Sequence, residues 1–124
     1  MALRTDAGRY ECGSLNTVGC FGLRASIEFL LAAGIDRIAP AVQALGDQIA
    51  ASVERKGYEL AGVRTPETGA GIVSFRKAGV DPEAVVKHLG TNNIAAAARA
   101  GWVRTSPHFY ISAEEIEKMI CCLP

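Results

Sequence analysis

The sequence has no excess charge of either sign: thirteen lysines and arginines cancel thirteen aspartates and glutamates, and neither sign gathers in a run. Such a chain lacks the basic stripe that nucleic acid or an anionic membrane surface attracts, so small ligands and protein partners are the expected company. No stretch of about 18 apolar residues is free of charges, and no charged-then-apolar leader opens the chain. The expectation is a soluble, unprocessed, cytoplasmic protein with no membrane segment. The phosphate-loop pattern G-x-x-x-x-G-K-[ST], the nucleophile elbow G-x-S-x-G and the pattern H-E-x-x-H are all missing, which leaves those three chemistries without support. No repeat, linker or low-complexity segment interrupts the 124 residues, enough for one hydrophobic core.

The four cysteines are poorly spaced for metal. Cys12, Cys20, Cys121 and Cys122 show no C-x-x-C pattern and no histidine nearby, so no metal site is expected. Adjacent cysteines rarely bridge each other, and the four thiols read as reduced, small packing residues.

What is present orders itself into helices and short strands. From Thr17 to Ala33, Leu23, Ile27, Leu30 and Leu31 fit one helical face, with Gly34 placed to end the helix. The other faces of this segment carry Val18, Phe21 and Phe29, so the helix is apolar nearly all round and wants cover on more than one side. A second helix is expected at once, with Asp36 as N-cap, Pro40 in its first turn, and Ile38, Val42, Leu45, Ile49 and Val53 recurring up to Gly57. The period then changes to that of strands at Tyr58–Val63 and Ile72–Arg76, separated by the loop "RTPETGAG". Asp81, Pro82 and Gly90 mark the cap, first turn and end of a third helix. A short strand is expected at 94–98 and another at Val103–Ile111, where Pro107 forces an edge or a kink. Ser112 and Glu115 form a capping box that starts a last helix near Ala113. The order ααββαββα predicts an α+β fold, with helices packed on one face of a small, mostly antiparallel sheet.

The chemistry carried by the side chains is sparse. His88 lies on the third helix with no ligand partner one turn away, and His108 stands beside an aromatic pair; both read first as structural, although a near-neutral pKa makes His108 useful wherever a site exists. Arg104 falls on or at the rim of a strand, where such a residue is usually solvated or ion-paired.

Three blocks change the weight of Arg104. "RYECGSLNTVGCFGLRASIEFL", "GIVSF" and "RAGWVRTSPHFYISAEEIEKM" together resemble the C-terminal region of class V aminotransferase-fold, pyridoxal-phosphate-dependent enzymes, a family that includes cysteine desulfurases and selenocysteine lyases. The resemblance covers almost the whole chain. It implies the small C-terminal domain of a fold-type I enzyme at 35–124, preceded by a segment and long interdomain helix, 1–34, that packs on a large domain not contained here. It also implies that Arg104 binds the carboxylate of an amino-acid substrate, a role suited to a planar guanidinium with two parallel donors. Ser14, after Gly13 and in the Glu11-x-Gly13-Ser14 segment, is the implied contact to the phosphate of pyridoxal phosphate across a homodimer. Arg99 matches a position that is often basic beside the site.

Two departures from the family pattern matter. The lysine that carries the cofactor lies upstream in relatives, and Lys56, Lys77, Lys87 and Lys118 have no motif that replaces it, so no catalytic residue is assigned and the isolated chain is expected to be inactive. Desulfurases of the family carry a nucleophilic cysteine on a loop between the two arginine-containing segments, whereas "RAGWVRTSPH" is short and has none. An aminotransferase or amino-acid lyase is therefore preferred over a desulfurase. Two other readings stay open: a free-standing, non-catalytic binding or dimerisation module, and an unrelated α+β domain with no cofactor.

Overall fold

The computed structural model describes residues 4–10 and 13–124, so Glu11 and Cys12 lie outside the described residues. Two compact units are present, Met1–Gly34 and Ile35–Pro124. The first holds a single 3-10 turn at Ala7–Tyr10 and helix α1, Thr17–Ala33. Asn16 caps α1, its side chain accepting from the Gly19 N–H at 2.9 Å, and Gly34 ends it at φ 90° with its N–H donated to the Leu30 carbonyl at 3.0 Å. No residue of α1 is buried. Phe21, Leu23, Phe29 and Leu31 are each more than 60% exposed, and Leu30 is half-buried.

The second unit begins with α2, Ile35–Arg55, two residues earlier than its apolar period suggests. Asp36 therefore stands in the first turn, where its carboxylate still meets the positive end of the helix, and is not the cap. Pro40 consequently lies in the second turn and not the first, so its ring forfeits the bond to the carbonyl four residues back. The strands are β1 (Glu59–Leu60), β2 (Val73–Arg76), β3 (Ala97–Arg99) and β4 (Trp102–Thr105), interleaved with α3 (Pro82–Thr91) and followed by α4 (Ala113–Cys121). They form one sheet in the order β1-β2-β4-β3 with every pairing antiparallel. The α+β order read from the sequence holds, but the strand expected at 94–98 lies at Ala97–Arg99, and the one expected at Val103–Ile111 ends at Thr105, before Pro107, and is an interior strand.

Helices α2, α3 and α4 lie against one face of this sheet. Val73 and Phe75 of β2 and Val103 of β4 point into a core completed by Ile49 and Val53 of α2, Val85 and Leu89 of α3, and Ile116 and Met119 of α4. Alternation along β2 does the sorting, Val73 and Phe75 inward and Ser74 and Arg76 outward. Phe75 is fully buried and meets the ring of buried Tyr58 edge-on, with centroids 5.4 Å apart.

Local chemistry sets the element ends. Asp81 caps α3 by accepting from the Glu83 N–H, and Pro82 opens it, but the helix runs past Gly90 to Thr91. Asn93, at φ 60°, takes the left-handed position that was expected of Gly90. Ser112 and Glu115 form the reciprocal capping box of α4. β1 is shorter than Tyr58–Val63, because the chain leaves the sheet after Leu60 and is held by Arg64. The Arg64 guanidinium pairs with Asp47 at 2.6 Å and donates to the carbonyls of Ala70 at 2.6 Å and Gln43 at 3.2 Å, tying the 61–72 loop to α2. Gly46 permits this approach: a Cβ there would meet Arg64 and come within 3.0 Å of the Ala70 oxygen. At the other end, the Lys56 ammonium takes the Ile120 carbonyl at 2.9 Å and the Leu123 carbonyl, while Tyr58 donates its hydroxyl to the Pro124 oxygen at 2.9 Å.

The cysteines depart from the packing role read from the sequence. Cys20 and Cys121 are exposed on their helices, and Cys122 alone packs partly against the core; all three are free thiols. Among the described residues, no single helix is long and apolar enough to cross a membrane.

Candidate active site

β4 runs through the middle of the sheet, and its alternation sends Val103 and Thr105 toward the helices and Trp102 and Arg104 to the opposite, outer face. The register assembles two rows there. Arg104 has Ser74 directly across on β2 and Ala97 directly across on β3. One step along, Trp102 lies opposite Arg99 of β3, and the Arg76 guanidinium sits 4.3 Å above the Trp102 ring. Three arginines thus share the outer face, but their engagements differ. Arg76 is ion-paired with Glu59 and stacked on Trp102. Among the described residues, the side chains of Arg104 and Arg99 have no hydrogen-bond or ion-pair partner. Arg104 is half-buried between a small hydroxyl and a methyl group, so its planar fork is positioned by a central strand and left free to take an anion.

The connection between β3 and β4 is the shortest that an antiparallel pair allows. Ala100 and Gly101 alone join the strands, at φ 49° and 82°, the left-handed pair that a two-residue hairpin requires. No cysteine stands between Arg99 and Arg104, and Cys20, Cys121 and Cys122 lie on α1 or at the end of α4.

The other residues singled out in the sequence are placed as follows. Ser14 belongs to the first unit, exposed, two residues ahead of the Asn16 cap and next to Gly13 at φ 94°. Its hydroxyl has no partner among the described residues. His108 stacks on Tyr110 with centroids 4.4 Å apart and lines a cleft of about 370 Å³ floored by Ile49, Ile116 and Met119, behind the sheet. His88 is exposed on α3. Neither histidine is on the outer face with Arg104. Residue-by-residue reading missed Ser74, whose relation to Arg104 is a matter of strand register, and the Arg76–Trp102 contact. The alternation of Ile72, Ser74 and Arg76 is the only sequence signal for the former.

The sequence model described as Aminotransferase class-V matches residues 2–119. The chain belongs to the class V aminotransferase family. Two curated relatives, each called a probable cysteine desulfurase, come from Methanothermobacter thermautotrophicus, 31% identical over 88% of this chain, and Pyrococcus abyssi, 28% identical over 90%. This class V chain spans 31% of the length of each. The solved structure of a cysteine desulfurase from Thermococcus onnurineus NA1 is similar over 97% of the chain and 33% of its own, with a TM-score of 0.82 and 27% identity. The family implies pyridoxal phosphate in the complete enzyme, and the residues present fit that group in part. The free Ser14 hydroxyl, beside a helix N-terminus, suits a phosphate oxygen. No lysine here suits the aldehyde: the Lys56 ammonium is taken by carbonyls, Lys77 lies over the Tyr58 ring, and Lys87 and Lys118 are exposed on helices.

Proposed function

We propose that this chain is the C-terminal portion of a cytoplasmic, homodimeric, pyridoxal-phosphate-dependent enzyme that acts on an amino acid, with Arg104 as the substrate-carboxylate residue. The observation that carries the reading is the uncommitted guanidinium of Arg104 at the centre of the sheet, between Ser74 and Ala97. A bidentate pair to a carboxylate fixes two points of the substrate and so sets the direction of its remaining bonds. Ser14 contributes its hydroxyl to the cofactor phosphate of the neighbouring subunit. Pyridoxal phosphate, when bound, supplies the electron sink that stabilises negative charge at the substrate α-carbon. The ring pocket and the covalent lysine belong to the rest of the enzyme, and the 124 residues alone are inactive.

The relatives' name points to cysteine as a substrate, while the two-residue turn supports a reaction that needs no cysteine between β3 and β4. Both are accommodated by an aminotransferase or an amino-acid lyase, including one that cleaves a carbon–sulfur bond. The test is Arg104→Ala in the complete, cofactor-loaded polypeptide. Loss of a charged hydrogen-bonded pair from a desolvated site costs about 2–5 kcal/mol, so KM for the amino acid rises steeply and kcat falls with the loss of orientation. Unchanged kinetics remove Arg104 from the site.

A further inference from the structure

The sheet carries two hydroxyls on paired strands, and only one of them is used. Thr105, on the inner face of β4, donates its hydroxyl to the Val73 carbonyl at 3.2 Å. Ser74, on the outer face of β2, accepts at its carbonyl from the Ala61 N–H at 2.9 Å, but its hydroxyl has no partner among the described residues. No unpartnered side-chain polar atom is buried among those residues, so solvent reaches this oxygen. Serine is a weaker strand former than the β-branched residues, which packing alone would favour at this position. Its place relative to Arg104 is fixed by register: direct partners in an antiparallel pair hold their Cβ atoms about 4.5–5.5 Å apart, and Ser74 is the direct partner of Arg104. Further along β2, Arg76 is engaged by Glu59 and the Trp102 ring. In the other direction the surface opens, because β1 leaves the sheet after Leu60 and a cavity of about 270 Å³ there has Ser74 in its wall with Ala61, Gly62 and Thr68. The one cation lining that cavity, Arg64, is held by Asp47 and by the Ala70 and Gln43 carbonyls.

We infer that Ser74 is a second substrate-contacting residue, its hydroxyl donating to the α-carboxylate that Arg104 holds. This rests on the carboxylate role proposed for Arg104. A carboxylate has acceptor sites for more than the two parallel bonds of a guanidinium fork, so a third donor adds to the fork without displacing it. It also does something the fork does not. Two parallel bonds leave the carboxylate able to tilt about the line joining its oxygens, and a donor off that line removes the tilt and with it one freedom of the substrate's reacting bonds. The other neighbour of Arg104 across the sheet, Ala97, has no polar side-chain atom to offer, so the carboxylate is drawn to the β2 side of the arginine.

The complete, cofactor-loaded polypeptide tests this by two readouts, the dissociation constant of propionate and kcat/KM for the amino acid. Ser74→Ala should weaken propionate and lower kcat/KM by about tenfold each, the size expected for a hydrogen bond to a charged group, and Ser74→Thr, which keeps the hydroxyl, should recover most of both. In an Arg104→Ala background the carboxylate is no longer held, and Ser74→Ala should then cost less than about twofold in kcat/KM. Unchanged melting temperatures certify each fold. A Ser74→Ala enzyme with the parent's constants overturns the contact, and so does an undiminished tenfold loss on top of Arg104→Ala, which marks a structural role; in both cases Arg104 keeps its assignment if its own variant loses propionate. If Arg104→Ala binds propionate as the parent does, the carboxylate reading falls and the Ser74 contact falls with it.

Discussion

Arg99 stands directly opposite Trp102, so that only Ala100 and Gly101 separate the two strands, both at positive φ. Alanine is a poor choice for such a place, since a side chain with a Cβ is disfavoured in the left-handed region by about 1–2 kcal/mol. Ala100→Asn should therefore raise the unfolding free energy by up to about 1 kcal/mol, and Gly101→Val should lower it by at least about 1 kcal/mol. Urea denaturation reads both. A stabilising Gly101→Val would show that the turn is not of this type.

The lysines lead to a second expectation. With the Lys56 ammonium held by the Ile120 and Leu123 carbonyls, Lys77 over the Tyr58 ring, and Lys87 and Lys118 exposed on helices, borohydride reduction of the chain with pyridoxal phosphate should label lysines weakly and at several positions. Peptide mapping checks this. Stoichiometric labelling of one lysine contradicts the assignment of the covalent lysine to the rest of the enzyme.

Much of the fold is legible because its decisive interactions are local. Asp81 with Pro82, and Ser112 with Glu115, satisfy helix-end donors within four residues, so the pattern and the structure coincide. Gly34 ends α1 just as locally, donating its N–H to the Leu30 and Leu31 carbonyls. Asp36 and Gly90 mislead because each sits where a boundary residue belongs while the helix simply continues, at Asp36 from Ile35 and at Gly90 to Thr91. β1 is shortened by a contact no local pattern reveals, the Arg64–Asp47 pair formed 17 residues apart. The site is the least legible part. Arg104 is one arginine among several until strand order puts it at the centre of the sheet, and Ser74 and Ala97 become its neighbours only through pairing.

Acid should weaken the start of α4. Hydrogen bonds from its own backbone N–H and then from Ser112 hold the Glu114 carboxyl below its ordinary value of 4.5. A lowered folded pKa means that the stabilisation is present above the unfolded value and is lost as pH falls through the folded one. Ser112→Ala, which removes the cap, should cost about 1 kcal/mol at neutral pH, and the difference between variant and parent should shrink in acid, as pH falls through the lowered pKa of the carboxyl. Equal slopes of stability against pH for both proteins speak against the coupling.

Alkali should act through Tyr58. Burial raises its phenol above the ordinary 10.0, so its contribution is complete below that value and declines as pH rises through the higher folded pKa. Absorbance at the phenolate band should show one tyrosine that ionises late and together with unfolding. In Tyr58→Phe that step should vanish, with a stability loss of about 1 kcal/mol at neutral pH for the missing bond to the Pro124 oxygen.

The exposed side chains of α1 should make the isolated chain self-associate. Each large apolar side chain left in water forgoes about 1.5–3 kcal/mol of burial, and a formal net charge of zero offers little repulsion. Phe21→Asp combined with Leu31→Asp should yield a smaller species by sedimentation. A parent chain that is already monomeric at high concentration would falsify this.

The pairing of β2 with β4 also orders events in time. β3 and β4 are joined by two residues and close within microseconds, as hairpins do. The Thr105 hydroxyl reaches the Val73 carbonyl 32 residues away, a contact whose loop includes all of α3 and whose closure entropy is charged before any packing rewards it. Arg104 and Arg99 thus share a ribbon early, and Ser74 arrives beside Arg104 only when the long loop shuts. Substitutions in the Ala100–Gly101 turn should accordingly change the refolding rate, whereas truncation of Val73 should chiefly hasten unfolding.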